Sequence, residues 1–135
     1  MASTSKKPER RPRKKPASPR LPPELKVAVA AALDKKAQDV VVLDLRAGSA
    51  FTDAFLICTG TNVRQVQAIS DSIEAALKKA GHRPALIEGY QHAEWILIDY
   101  FDFIVHIFAP ETRLFYSLER LWGNAERVEI PATAR

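Results

Sequence analysis

Gly48-Ser49, with Asp53 four residues further on, has the form of a loop that grips phosphate at the start of a nucleotidyltransferase site. Such an enzyme also needs paired carboxylates on the adjacent strand, because hard oxygen ligands must hold Mg²⁺ against the triphosphate. The next apolar segment, Ala54-Phe55-Leu56-Ile57-Cys58, carries none. Asp99 and Asp102 stand three apart and flank a turn, so they do not share one strand face. With Glu88 and Glu94 they read as loop-rim and hairpin charges. His82, His92 and His106 lack the spacing of a metal site. His106 sits among apolar neighbours and is expected as a hydrogen-bonded sheet residue. Cys58, the sole cysteine, lies in an apolar strand and reads as a small packed hydrophobe. No glycine-rich phosphate loop of Walker or Rossmann type is present. Nothing converges into nucleophile, acid/base and charge stabiliser, so the expectation is a non-enzyme without metal or cofactor. A nucleotidyltransferase-like enzyme built on Ser49 is the alternative.

Aromatic residues offer a different chemistry. Trp95, Tyr100, Phe101 and Tyr116 crowd a predicted hairpin and the helix after it. Aromatics at a hairpin rim anchor protein interfaces, since they bury large area at low entropic cost. Trp95 and Tyr116 read equally well as caps of the core. Phe101, in the turn itself, is harder to bury and points to a contact role.

The elements that must position these residues follow from periodicity. Pro22 and Pro23 suit a first helical turn, and Leu25, Val29, Ala32 and Leu33 form one face of a helix ending near Ala37. Val40 to Leu43, then Leu45, read as a strand covered on both faces. Ala54 to Cys58 is a second. Asn62 with Gln65 makes a weak capping box for a helix whose apolar face is Val66, Ile69, Ile73, Ala76, Leu77 and Ala80, stopped by Gly81. Pro84 to Ile87 is a short edge strand. Trp95–Tyr100 and Phe103–Phe108 form a hairpin. From Pro110 a final helix presents Leu114, Phe115, Leu118, Leu121 and Trp122, closed by Gly123. The order α-β-β-α-β-β-β-α predicts an α/β fold, a mixed β-sheet flanked by helices.

The chain has 135 residues, the length of one ordinary domain, and no apolar run long enough to span a bilayer. Its net charge of +4 is unevenly placed. Residues 1–20 hold eight Lys or Arg against Glu9 alone, while residues 21–135 carry a net −3. Residues 1–21 are expected to be a disordered basic, proline-rich tail, residues 22–123 the folded domain, and 124–135 a loose C-terminal end. The tail would attract polyanions such as RNA without sequence preference. The absence of a secretory h-region and the single cysteine predict a cytoplasmic protein with no membrane partner.

Three blocks of residues carry a resemblance. Phe51-Thr52-Asp53-Ala54-Phe55-Leu56-Ile57-Cys58-Thr59-Gly60-Thr61, continued by Arg64 to Ile69, is the first. Trp95 to Tyr100 with Asp102 and Val105-His106 is the second; Arg113, Tyr116, Leu118-Glu119 and Leu121-Trp122 form the third. Together they resemble the ribosomal silencing factor family, also called Iojap or RsfS, over about residues 22–123. The resemblance implies a nucleotidyltransferase-like fold without the catalytic residues. It implies binding to the large ribosomal subunit through that subunit's protein fourteen, steric block of small-subunit joining, repression of translation, and a homodimer. By position the resemblance implies Trp95, Tyr100, Asp102 and Tyr116 as the ribosomal-protein contact, to which Phe101 is added from its place in the turn, with structural or rim roles for Asp99, His106 and Arg113. Many members carry Gly where this chain has Phe101. Gly permits positive φ, so Phe101 predicts a different turn or an added apolar anchor.

Overall fold

The computed structural model describes residues 21–48, 51–121, 123 and 125–131. Residues 1–20 of the expected tail, Ser49 and Trp122 lie outside the described residues. The elements are α1 (Glu24–Asp34), β1 (Gln38–Asp44), β2 (Ala54–Thr59), α2 (Val63–Lys79), β3 (Leu86–Glu88) and β4 (Trp95–Asp99). They continue with β5 (Phe103–Phe108), α3 (Pro110–Tyr116), α4 (Leu118–Leu121) and β6 (Glu126–Ile130).

The six strands form one mixed sheet in the order β3-β4-β5-β2-β1-β6. β2 and β5 run parallel, with Ala54 opposite Phe103 and Thr59 opposite Phe108; the other neighbours are antiparallel. All six residues of β2 and of β5 are buried, which explains their unbroken apolar runs. α1 and α2 cover one face of the sheet. Val66, Ile69, Ile73 and Leu77 of α2 are fully buried there, each contributing about 1.5–3 kcal/mol by leaving water. The predicted cap of α2 is present. Asn62 Oδ1 accepts the Gln65 N–H at 2.9 Å, and Gln65 Oε1 accepts the Thr61 N–H at 2.7 Å.

Three expectations change. Residues 124–135 are not loose throughout, because β6 pairs along β1 from Val40–Ile130 to Asp44–Glu126. Four of its five residues are exposed, so the strand has almost no apolar pattern to announce it. The single last helix is broken: Ser117 takes a left-handed conformation at φ 47 and separates α3 from α4. Finally, Phe101 does not avoid the positive-φ backbone that glycine permits. Its φ is 75, the region glycine favours, and the Asp102 N–H bonds the Tyr100 carbonyl at 2.8 Å to close a three-residue γ-turn. The surroundings enforce this strained backbone. Asp99 Oδ1 accepts the Phe101 N–H at 2.7 Å, and the Thr52 hydroxyl donates to the Phe101 carbonyl at 3.1 Å.

Candidate functional site

The second face of the sheet is where the aromatic residues gather. Its core contains Val41, Leu43, Phe55, Ile57, Ile104, Phe108 and Leu118, with Trp95 and Leu97 partly buried against it. Trp95 opens β4 opposite Phe108, and its ring lies 5.0 Å from that of Phe108 and 4.7 Å from that of Tyr116. Its indole N–H donates to His106 Nδ1 at 3.1 Å. That bond needs an unprotonated Nδ1, so the imidazole proton sits on Nε2, which is buried without a partner among the described residues. Burial drives the His106 pKa down to about 3. His106 is therefore a neutral support beneath Trp95, edge-on to Phe55 at 4.6 Å.

Arg113 fastens α3 and α4 to this face. Its Nε and Nη2 donate to Glu119 Oε2 at 3.1 and 2.6 Å, and Nη1 donates to the Asp39 carbonyl at 2.7 Å and the Thr59 hydroxyl at 2.8 Å. Burial works to raise the Glu119 pKa, but the Arg113 guanidinium on its carboxylate outweighs that and holds it below the ordinary range. Arg113→Ala is expected to cost about 2–3 kcal/mol, because it strips a largely buried carboxylate of its partner. Arg113→Lys should restore only part of this, since an ammonium cannot reproduce the fork. Urea unfolding of the three proteins measures both effects.

The break at Ser117 turns Leu118 into the sheet and leaves the neighbouring apolar residues outside. Leu114 is 81% exposed, Phe115 79%, Leu121 72% and Tyr116 45%. Tyr116 lies against Trp95 and Phe115 is edge-on to Tyr116 at 5.0 Å, so exposed apolar side chains of α3 and α4 surround the Trp95 end of this face as an apolar platform. A depression of about 1050 Å³ borders it between α3, α4 and the β1–β6 edge, with Arg120, Arg127 and Glu129 on its rim. Leu114, Phe115 and Leu121 read from sequence as a buried helix face. Arg113 and Glu119 are six apart, and a continuous helix would set them on different sides, so their pairing depends on the break.

The structure thus joins Trp95, Tyr116, His106 and Arg113 and separates them from the rest. Tyr100 is buried on the opposite face, stacked on Phe103 at 5.3 Å, and burial pushes its hydroxyl pKa up to about 12. It is a core residue and not a surface contact, because alternation along β4 sends it to the helix side. Asp99, Phe101 and Asp102 occupy the β4–β5 tip, about 13 Å from Trp95 along the strand. Phe101 is 48% exposed there. Asp53 is buried and its N–H donates to the Asp102 carbonyl at 3.0 Å. Cys58 is buried in β2, and desolvation pushes its pKa up to about 12. Among the described residues no three His, Cys, Asp or Glu side chains cluster in a way that would hold a metal ion. No helix among them is long and apolar enough to cross a membrane.

Comparison with known proteins agrees with this architecture. Residues 18–135 match the family described as ribosomal silencing factor during starvation, RsfS. The chain is 43% identical over 106 residues to the ribosomal silencing factor RsfS of Halalkalibacterium halodurans, covering 78% of this chain and 91% of that one. A crystal structure of a Bacillus halodurans protein superposes with a TM-score of 0.70 at 42% identity, over 78% of this chain and 96% of the other. The crystal structure of CV0518 from Chromobacterium violaceum gives 0.73 at 32% identity, over 82% and 92%. With its match running through every strand and helix described above, the chain belongs to the RsfS family of ribosomal silencing factors.

Proposed function

We propose that this protein represses translation by occupying the large ribosomal subunit and excluding the small one. The observation that carries this reading is the exposure of Leu114, Phe115, Tyr116 and Leu121 on α3 and α4, with Tyr116 packed against Trp95. Membership of the RsfS family supplies the ribosome as its object. The chemistry suits docking on a folded protein: aromatic and aliphatic anchors in the centre, charged Arg120, Arg127 and Glu129 around them. Protein fourteen of the large subunit is the docking partner in this reading. Phe101 and Asp102 make a second, smaller contact at the hairpin tip, while Tyr100, Asp99, His106 and Arg113 hold the surface in shape. No bond is made or broken, so repression follows occupancy alone.

Reassociation of purified subunits in a density gradient tests the mechanism. Added protein should shift complete ribosomes into free subunits in proportion to its concentration, and it should sediment with the large subunit. A normal yield of complete ribosomes at saturating excess would overturn the reading.

A further inference from the structure

We infer that Phe51 and Phe101 form a second aromatic anchor, so that one docking surface runs from the apolar platform across the sheet to the β4–β5 tip, and that Phe101 is kept there for affinity at the expense of stability. The inference rests on the proposed function. It adds Phe51 to the contact and requires the partner protein to present a second apolar patch opposite the tip.

Exposure and backbone strain coincide at this tip. Phe51 is 37% exposed and Phe101 48%. The bond from the Thr52 hydroxyl to the Phe101 carbonyl, at 3.1 Å, holds their two loops together. Phe101 has φ 75, a backbone region in which an L side chain is crowded and glycine is not. Burial of the phenyl does not offset that crowding, because about half of the residue stays in water. Strain maintained beneath an exposed aromatic ring is expected where the ring serves a contact outside the free molecule.

Ring contacts connect the tip to the platform. Phe51 is edge-on to Phe55 at 6.1 Å, and Phe55 is edge-on to His106 at 4.6 Å. His106 lies 5.9 Å from Trp95, Trp95 lies 4.7 Å from Tyr116, and Tyr116 lies 5.0 Å from Phe115. The row crosses the sheet face that α1 and α2 leave uncovered, and its exposed rings stand at the two ends. The tip is about 13 Å from Trp95 along β4. A protein interface of ordinary size takes about 800 Å² from each partner, a patch roughly 30 Å across. One folded partner therefore reaches both ends of the row, and continuity with the platform makes the occupant of the tip the same protein surface.

The experiment compares the full chain with Phe101→Gly, Phe51→Ala and Leu114→Ala/Phe115→Ala variants. Each is measured by co-sedimentation with purified large ribosomal subunits, by flotation with phospholipid vesicles and by thermal unfolding. Phe101→Gly should unfold at or above the wild-type temperature, since glycine relieves the turn, and yet bind large subunits about tenfold more weakly. Phe51→Ala should also bind more weakly, by about fivefold. A phenyl with a structural role alone would instead lower the unfolding midpoint of Phe101→Gly and leave affinity unchanged, which overturns the inference. Wild-type affinity in both phenylalanine variants, with binding lost in the platform variant, overturns it while the proposed function stands. Vesicle binding by the wild type that Phe101→Gly loses, with subunit binding intact, assigns the tip to lipid and overturns it too. If the wild type itself does not bind large subunits, the proposed function and the inference fall together.

Discussion

A Leu114→Ala/Phe115→Ala protein is expected to fold normally and to lose the large ribosomal subunit. Both side chains are about four-fifths exposed, so truncating them removes little buried area, and stability should stay within about 0.5 kcal/mol of wild type. Their cost appears only on docking. An anchor that becomes fully buried in a partner is worth about 2 kcal/mol or more, or roughly 30-fold in affinity, and two neighbours together should exceed 100-fold. Co-sedimentation with purified large subunits reads the affinity, and thermal unfolding reads the fold. Equal co-sedimentation of variant and wild type would remove the platform from the interface. The combination of intact fold and lost binding separates this surface from Arg113, whose loss would weaken both.

Acidification should destabilise the protein well before its carboxylates protonate, and His106 should be the cause. In the folded state burial disfavours the imidazolium and holds its pKa down at about 3. In the unfolded chain the ordinary value is about 6.5. Between those values the unfolded chain takes up a proton that the folded one refuses, so stability falls as pH falls. The contribution is fully present above about pH 6.5 and declines towards pH 3, by up to about 1.4 kcal/mol per pH unit. Over the whole window that amounts to roughly 3–5 kcal/mol, a large share of a typical domain's stability. His106→Gln keeps an acceptor for the Trp95 indole and removes the titration. Its urea midpoint should therefore vary far less between pH 7 and 4.5 than that of the wild type. Asp44, held below its ordinary value by the Arg46 guanidinium, and Glu119 lose their contributions below about pH 4 in both proteins. Parallel curves for wild type and variant would show that His106 is not the group responsible.

Platform and histidine share one cause, the sheet face that α1 and α2 do not cover. Trp95 is held from below by His106 and from the side by Tyr116, and Tyr116 ends the helix that Arg113 clamps. A docking surface built this way is pre-organised, so little rotamer freedom remains to be lost on binding. The hairpin tip follows the same logic on a smaller scale, with Phe101 presented in a left-handed turn by Asp99 and Thr52.

Local chemistry was enough to read much of this molecule from its residues alone. The unbroken apolar runs at 40–43 and 54–58 announced interior strands, Asn62 and Gln65 announced the start of α2, and three ordered blocks announced the family. Each of these depends on neighbours a few positions apart. The rest depended on partners distant in the chain. Arg113 reaches residues 74 and 54 positions away, and that clamp accompanies a break at Ser117 which helical spacing does not reveal. Spacing says which side of a helix is apolar, but not whether anything lies against it. Leu114 and Phe115 look like core residues until the sheet is seen to accept only Leu118. Alternation places Trp95 and Tyr100 on opposite faces, yet only packing decides which face is closed by two helices and which is left open.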